Sequence, residues 1–168
     1  MAETFCRDKD SVSAISLMAE IAAWAKDRGM TYMDMLKDIY LTYGYSHEVG
    51  VSVVRPGKTG ADEIKKMMAD FRTAGPRELA GSKVVCTKDF ASLKQYDADG
   101  NESPLDMPES SDVIQWYTAD GTKVSVRPSG TEPKIKFYVE VKGEMKTVAD
   151  YGSSRSKAME KVEMIRKD

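Results

Sequence analysis

The run Val124-Ser125-Val126-Arg127-Pro128-Ser129-Gly130-Thr131-Glu132-Pro133-Lys134-Ile135-Lys136-Phe137 decides how this chain is read. Apolar and polar residues alternate at both ends, the period of half-buried strands, so the middle is a tight strand-to-strand connection. Pro128 and Pro133 limit its freedom, while Gly130 can take a positive φ that other residues resist. Consecutive N–H groups in such a turn can converge into a concave nest suited to an anion. The hydroxyls of Ser129 and Thr131 add donors, and Arg127 can pair bidentately with phosphate oxygens. Lys134 and Lys136 raise the local positive potential. Glu132 fits poorly, because a carboxylate repels phosphate unless it points away or meets a sugar hydroxyl. Read from residue chemistry alone, a loop of this kind is either a plain turn or a phosphate site.

Working outward, Val113 to Thr118 and Thr122 to Arg127 read as strands, and Asp120-Gly121 between them is a short-hairpin signal. Ile135 to Val141 continues the sheet beyond the loop. Lys83 to Asp89 is a further strand, and the polar stretch from Asp97 to Ser111 is expected to be a loop. Two helices frame these strands. Ile64, Met67, Met68 and Phe71 share one face of 61–72, with Lys65-Lys66 on a solvated face, and Ala158, Val162 and Ile165 share one face of 154–166. The fold class is therefore α+β: an antiparallel sheet with helices on one face.

The N-terminal part is different. Val12, Ile15, Met18, Ala19, Ile21, Ala22 and Ala25 recur at helical spacing up to Gly29, with Asp10 or Ser11 as the cap. Thr31 caps a second helix through Tyr32, Met35, Leu36, Ile39, Tyr40 and Tyr43, and Gly44 ends it. This hairpin cannot bury both faces by itself and reads as the end of a larger α/β unit. Val49, Val51, Val53 and Val54 then form an extended segment broken by Pro56-Gly57. The expected organisation is a helical hairpin over 1–44, a hinge strand and linker over 45–58, and a C-terminal domain over 59–168.

Composition excludes several classes. The 168 residues are 41% hydrophobic and 31% charged, a globular profile. A net charge of -2 argues against a nucleic-acid partner. No apolar run approaches the roughly 20 residues that span a bilayer, and no signal-peptide pattern opens the chain. Cys6 and Cys86 make neither metal-ligand spacing nor a disulfide framework, which fits reduced thiols in the cytoplasm. Asp97-Ala-Asp99-Gly100-Asn101-Glu102 lacks the Gly and Glu positions of a calcium loop. His47 has no companion at ligand spacing, and Trp24 and Trp116 read as core or domain-interface residues.

The seven contiguous residues Arg127-Pro-Ser-Gly-Thr-Glu-Pro133 resemble the phosphate-binding signature in the last domain of the α-D-phosphohexomutases, which include phosphoglucomutase, phosphomannomutase and phosphoglucosamine mutase. Arg7-Asp8-Lys9-Asp10, ahead of an apolar helix, resembles the segment near the end of that family's third domain, with Ser11 where the family commonly has Gly. The resemblance spans nearly the whole chain: the end of the third domain, the hinge strand and the complete fourth, TBP-like domain.

The resemblance implies an isomerase, an intramolecular phosphotransferase that interconverts hexose 1-phosphate and 6-phosphate through a phosphoserine and a hexose 1,6-bisphosphate, with Mg²⁺. The substrate phosphate would meet Arg127, Ser129, Gly130, Thr131 and Lys134, and Lys9 would be catalytic, with Arg7 assisting. The family's phosphoserine, Asp-rich metal loop and sugar-specifying loop belong upstream of Met1. The chain is thus expected to depend on N-terminal domains of the same polypeptide, to hold no metal ligands, and to be inactive alone. A phosphoglucosamine mutase, or a non-catalytic α+β binding module, is the alternative.

Overall fold

The computed structural model describes residues 9–57 and 59–167. They fall into two units, one comprising the chain up to Gly44 with Met145–Tyr151, the other Tyr45–Glu144 with the chain from Gly152 onward. Arg7 and Cys6 lie outside the described residues.

In the first unit, α1 (Ser11–Asp27) begins where the Asp10 carboxylate accepts from the N–H groups of Val12 and Ser13, at 3.0 and 3.2 Å. Asp10, rather than Ser11, is therefore the cap. The helix stops at Gly29, whose φ of +69° suits a residue without Cβ. Helix α2 (Tyr32–Tyr43) opens with a capping box: Asp34 N–H donates to Thr31 Oγ1, and Thr31 N–H donates to the Asp34 carboxylate. Tyr40 stacks on Tyr151, which also lies under the Lys37 ammonium. Val12 and Ile15 of α1 and Tyr43 of α2 stay largely exposed. Trp24 is half exposed under the Arg28 guanidinium.

The second unit is built on one antiparallel sheet. Its elements are β1 (Tyr45–Val54), α3 (Gly60–Thr73), β2 (Glu78–Leu79), β3 (Ser82–Asp89), β4 (Lys94–Asp97), β5 (Glu102–Pro104), β6 (Ile114–Thr118), β7 (Lys123–Pro128), β8 (Lys134–Gly143) and α4 (Tyr151–Ile165). The strand order is β1-β8-β7-β6-β3-β4-β5, with β2 paired to β3. The segment 45–54, a hinge strand by sequence, pairs with β8 over ten residue pairs from Tyr45↔Gly143 to Val54↔Lys134.

Register carries one apolar face across the sheet. Val49 lies opposite Val139, Val139 opposite Val124, Val124 opposite Trp116, and Trp116 opposite Thr87. Because side chains alternate along a strand, Ile114, Val126, Ile135 and Val141 point the same way, and all are buried. Full burial of such a side chain is worth about 1.5–3 kcal/mol. Helix α3 covers this face: Ile64 and Met68 are buried, and Phe71 meets Trp116 and Phe137 edge-on with centroids 5.4 and 6.0 Å apart. Helix α4 buries Ala158, Val162 and Ile165. Trp116 is thus a core residue.

Segment 97–111 departs from the expected loop, because it contains the far strand of the β4–β5 hairpin. These strands are short, polar and at the sheet edge, with β5 exposed at every position, so no apolar alternation marks them. Their turn is held by Asp97, which accepts from Asp99 N–H and from Asn101 N–H and Nδ2, each at 2.9 Å. No described helix is long and apolar enough to cross a membrane.

Candidate functional site

The β7–β8 connection is pinned at its ends and open in its middle. Ser129 N–H donates to Lys134 C=O at 2.8 Å, and Lys134 N–H donates to Glu132 C=O at 2.7 Å. Pro133 C=O accepts from Arg55 N–H at 2.9 Å, which ties the loop to the chain leaving β1. Between these anchors, the N–H groups of Gly130, Thr131 and Glu132 find no acceptor among the described residues. The same holds for the hydroxyls of Ser129 and Thr131, and no described carboxylate pairs with the exposed Arg127. A loop that keeps five donors and a guanidinium unsatisfied within seven residues has the donor set an anion needs.

Gly130 does not use the positive φ open to a glycine; the left-handed glycines lie elsewhere. Its distinguishing feature is space, since a Cβ built there would meet nothing within 4 Å. A glycine in this place leaves its N–H approachable from outside the loop.

Charge within the loop is arranged locally. Glu132, the misfit of the motif, forms an ion pair with Lys134. That pairing, aided by Lys136, holds the Glu132 carboxyl below the usual carboxylate range. It also means that the Lys134 ammonium is committed to a neighbour, so Arg127 is the open cation of the loop.

The loop forms one wall of an open groove of ≈ 900 Å³. The facing walls come from distant sequence: Gly57, Ala61, Ile64 and Lys65 at the start of α3, and Ser111–Val113 ahead of β6. Ala61, in the first turn of α3, brings the positive end of the helix dipole to the groove. Lys65 is solvated as expected and pairs with Asp62 at 3.9 Å where it borders the groove, while Lys66 pairs with Asp70. The helix starts here because Gly60 allows it; a Cβ at this residue would lie 1.7 Å from the Arg55 carbonyl oxygen. Arg55 in turn anchors the loop through Pro133, so one crowded contact sets both walls.

The wall at 111–113 is fastened from two directions. Phe90 N–H donates to Val113 C=O, and Ser111 N–H donates to Phe90 C=O, at 3.0 and 3.1 Å. Arg72 of α3 bridges two carboxylates, with Nη2 at 2.5 Å from Asp112 and Nε at 3.2 Å from Asp89. Partial burial would lower the Arg72 pKa, but its bonds to Asp112 and Asp89 outweigh this and raise it. Sequence reading singled out none of Ala61, Arg72, Ser111 or Asp112. The two carboxylates that Arg72 bridges lie 17 and 40 residues from it, and no local pattern encodes that.

Of the residues singled out by sequence, Arg127, Ser129, Gly130, Thr131 and Lys134 share this one loop. Lys9 belongs to the other unit, where it is exposed just ahead of the α1 cap. Among the described residues, no group of three or more His, Cys, Asp or Glu side chains is placed to hold a metal ion.

Residues 48–153 match the family described as phosphoglucomutase/phosphomannomutase, C-terminal domain. Among curated relatives, a phosphoglucomutase of Staphylococcus haemolyticus is 34% identical over 142 residues, and one of Staphylococcus epidermidis is 37% identical over the same length. Both alignments take in 84% of this chain and 26% of the relative, so the chain spans about a quarter of the length of the relatives it matches. The open-form structure of pp63/parafusin from Paramecium aligns over 95% of this chain and 28% of its own, with a TM-score of 0.42 and 14% identity. The Arg127–Pro133 loop and nearly all of the antiparallel sheet that carries it lie within the matched region, and the chain belongs to the phosphoglucomutase/phosphomannomutase family.

Proposed function

We propose that this chain supplies the phosphate-gripping domain of a phosphohexomutase, an enzyme that interconverts hexose 1-phosphate and 6-phosphate. The observation that carries the reading is the set of open donors in the β7–β8 loop: three N–H groups, two hydroxyls and the Arg127 guanidinium. Staphylococcal relatives named phosphoglucomutase favour glucose phosphates as the substrates.

The loop's part is electrostatic. It holds the phosphate that is not reacting, and that remote binding energy orients the other end of the sugar for transfer. Arg127 and the N–H groups read phosphate rather than the sugar ring, so the grip works with the sugar in either direction. Such indifference is what a reaction through a hexose 1,6-bisphosphate needs, because the intermediate must turn end for end. Phosphoryl donation from a phosphoserine, and the Mg²⁺ that would neutralise the transferring group, are assigned to other parts of the polypeptide. Lys9, in the first unit, would serve that transfer as a proton-transfer or charge-neutralising group.

The test is titration of the purified chain, followed by amide NMR. Inorganic phosphate and glucose 1-phosphate are expected to shift Gly130, Thr131 and Glu132 and to do so no longer in Arg127→Ala. The chain alone is expected to bind without interconverting sugar phosphates. Single-stranded oligonucleotide is expected to leave these amides unmoved. Unshifted loop amides at saturating phosphate, or shifts of equal size in the variant, would remove the loop from the proposal.

A further inference from the structure

We infer that Asp112, held in place by Arg72, reads the hydroxyl groups of the phosphorylated ligand and thereby makes the groove selective for a sugar phosphate over phosphate alone. This rests on the phosphate reading of the Arg127 loop. The groove is of a size for a small organic ligand, with far more room than one phosphate group needs. Its polar walls are unlike. The loop contributes donors and a cation, α3 contributes Lys65, itself paired with Asp62, and the segment ahead of β6 contributes Ser111 and the acidic Asp112.

The charge balance on the Asp112 wall is set by the bridge. Arg72 lies between Asp89 and Asp112, so one cation serves two carboxylates and a net negative charge remains. Asp89 is further saturated by Ala91 N–H at 3.1 Å and Ser92 Oγ at 2.8 Å. Asp112 has no such additional donors, and only its Oδ1 engages Arg72. Its second oxygen remains an acceptor, on a side chain about half exposed (53%). A phosphate dianion is repelled from this wall and a neutral hydroxyl is drawn to it, since a carboxylate accepts strongly and donates nothing. A ligand with a phosphate at one end and hydroxyls at the other is thereby given a direction in the groove.

The wall is also built to hold its position. The bonds of Ser111 and Val113 to Phe90 flank Asp112 on both sides, and Arg72 reaches it from the last turn of α3. Arg72 is a positioning residue, acting on the ligand only through Asp112.

The experiment compares two probes, inorganic phosphate and glucose 6-phosphate, by calorimetric or NMR titration of the 168-residue chain. The unsubstituted chain is expected to prefer glucose 6-phosphate. Asp112→Ala should lose about tenfold in affinity for it, the scale of one hydrogen bond to a charged acceptor, and hold inorganic phosphate as well or slightly better. Arg72→Gln should lose the same preference, and Arg72→Lys should recover part of it. Asp112→Asn, which preserves shape, should fall between Asp112→Ala and the parent. An Asp112→Ala chain that weakens both probes equally, or neither, overturns the inference. So does a parent chain that binds phosphate but shows no preference for the sugar phosphate, although the phosphate reading of the loop then stands. A chain that binds neither probe overturns both.

Discussion

Two connections between neighbouring strands of the same sheet have opposite economies of hydrogen bonding. The β6–β7 turn at Ala119–Thr122 closes on itself. Thr118 N–H donates to Thr122 C=O at 2.9 Å, Gly121 N–H to Thr118 C=O at 3.0 Å, and Thr122 N–H to the Asp120 carboxylate at 3.2 Å. Thr118 Oγ1 also donates to Asp120, which forms an ion pair with Lys161 of α4. The β7–β8 loop, on the next hairpin along, leaves Gly130, Thr131 and Glu132 without acceptors. The turn that reverses the chain satisfies most of its polar groups, Thr122 Oγ1 being buried without a partner, whereas the loop that receives a ligand keeps its exposed donors in reserve. Glycine follows the same division. Gly121 has a φ of +82° and is there for its backbone, while Gly130 has ordinary φ and open space and is there for access.

The comparison breaks first at its charged members. Arg127→Ala should weaken phosphate binding by about 2–3 kcal/mol, the range for a charged hydrogen-bonding partner, with little change in thermal stability. Titration with inorganic phosphate alongside a melting curve separates the two effects. Asp120→Ala should do the reverse. It removes a turn acceptor and the Lys161 pair, but Asp120 is partly exposed (44%), so screening holds the loss to about 1 kcal/mol. Phosphate affinity should be unchanged; a weakened affinity would mean that the two connections are coupled.

Acid should expose the same asymmetry. Burial raises the Asp120 carboxyl, but its bonds to Lys161, Thr118 and Thr122 outweigh this and hold it far below the ordinary range. Glu140, on β8 beside this turn, is likewise raised by burial and lowered more by Lys123 and Lys142, to about 2. Carboxyls depressed in the folded state bind fewer protons there than in the unfolded chain. Their stabilisation is therefore complete above the ordinary carboxylate pKa of about 4 and is lost as pH falls toward 2. Denaturant melts between pH 6 and 2.5 should show stability falling below about 4.5, and Glu140→Gln should flatten that limb. A pH-independent midpoint in the parent chain would deny these pairs their role.

The smallest expected effects fall on the glycines. Gly121→Ala forces a Cβ into a left-handed turn and should cost about 1 kcal/mol of stability while sparing phosphate binding. Gly130→Ala should change stability by less than about 0.5 kcal/mol, as at an unstrained exposed position, yet measurably reduce phosphate affinity by crowding the open N–H groups. If Gly130→Ala were the more destabilising of the two, the division between a backbone glycine and an access glycine would be wrong.

Much of the fold was legible wherever a local rule was strong. Helical periodicity with Thr31 and Gly29 as punctuation marked α1 and α2, and Asp120-Gly121 marked the β6–β7 hairpin. The β4–β5 hairpin was not legible, because Lys94–Asp97 and Glu102–Pro104 are polar and pair at an edge that buries little. Glycine makes a positive φ available at residue 130, but this longer connection between strands does not use one. The loop as a site was legible because its groups are contiguous. The wall opposite was not, since Ser111–Asp112 has no motif and acquires meaning only when β6 and α3 bring it across from Arg127.

The sequence by itself determined the identity of the donors, because Arg127 through Pro133 carry them in one short run with prolines that prevent a helix or a continuous strand. Whether those donors are spent or open was decided by tertiary structure. Gly60 lets α3 crowd against Arg55, Arg55 fixes Pro133, and the loop is held at its ends with its middle facing a groove. The pairing of Glu132 with Lys134, and of Arg72 with two distant aspartates, likewise follows from geometry. Charge placement depends on distances of a few ångströms, and only the packed sheet and helix set those distances.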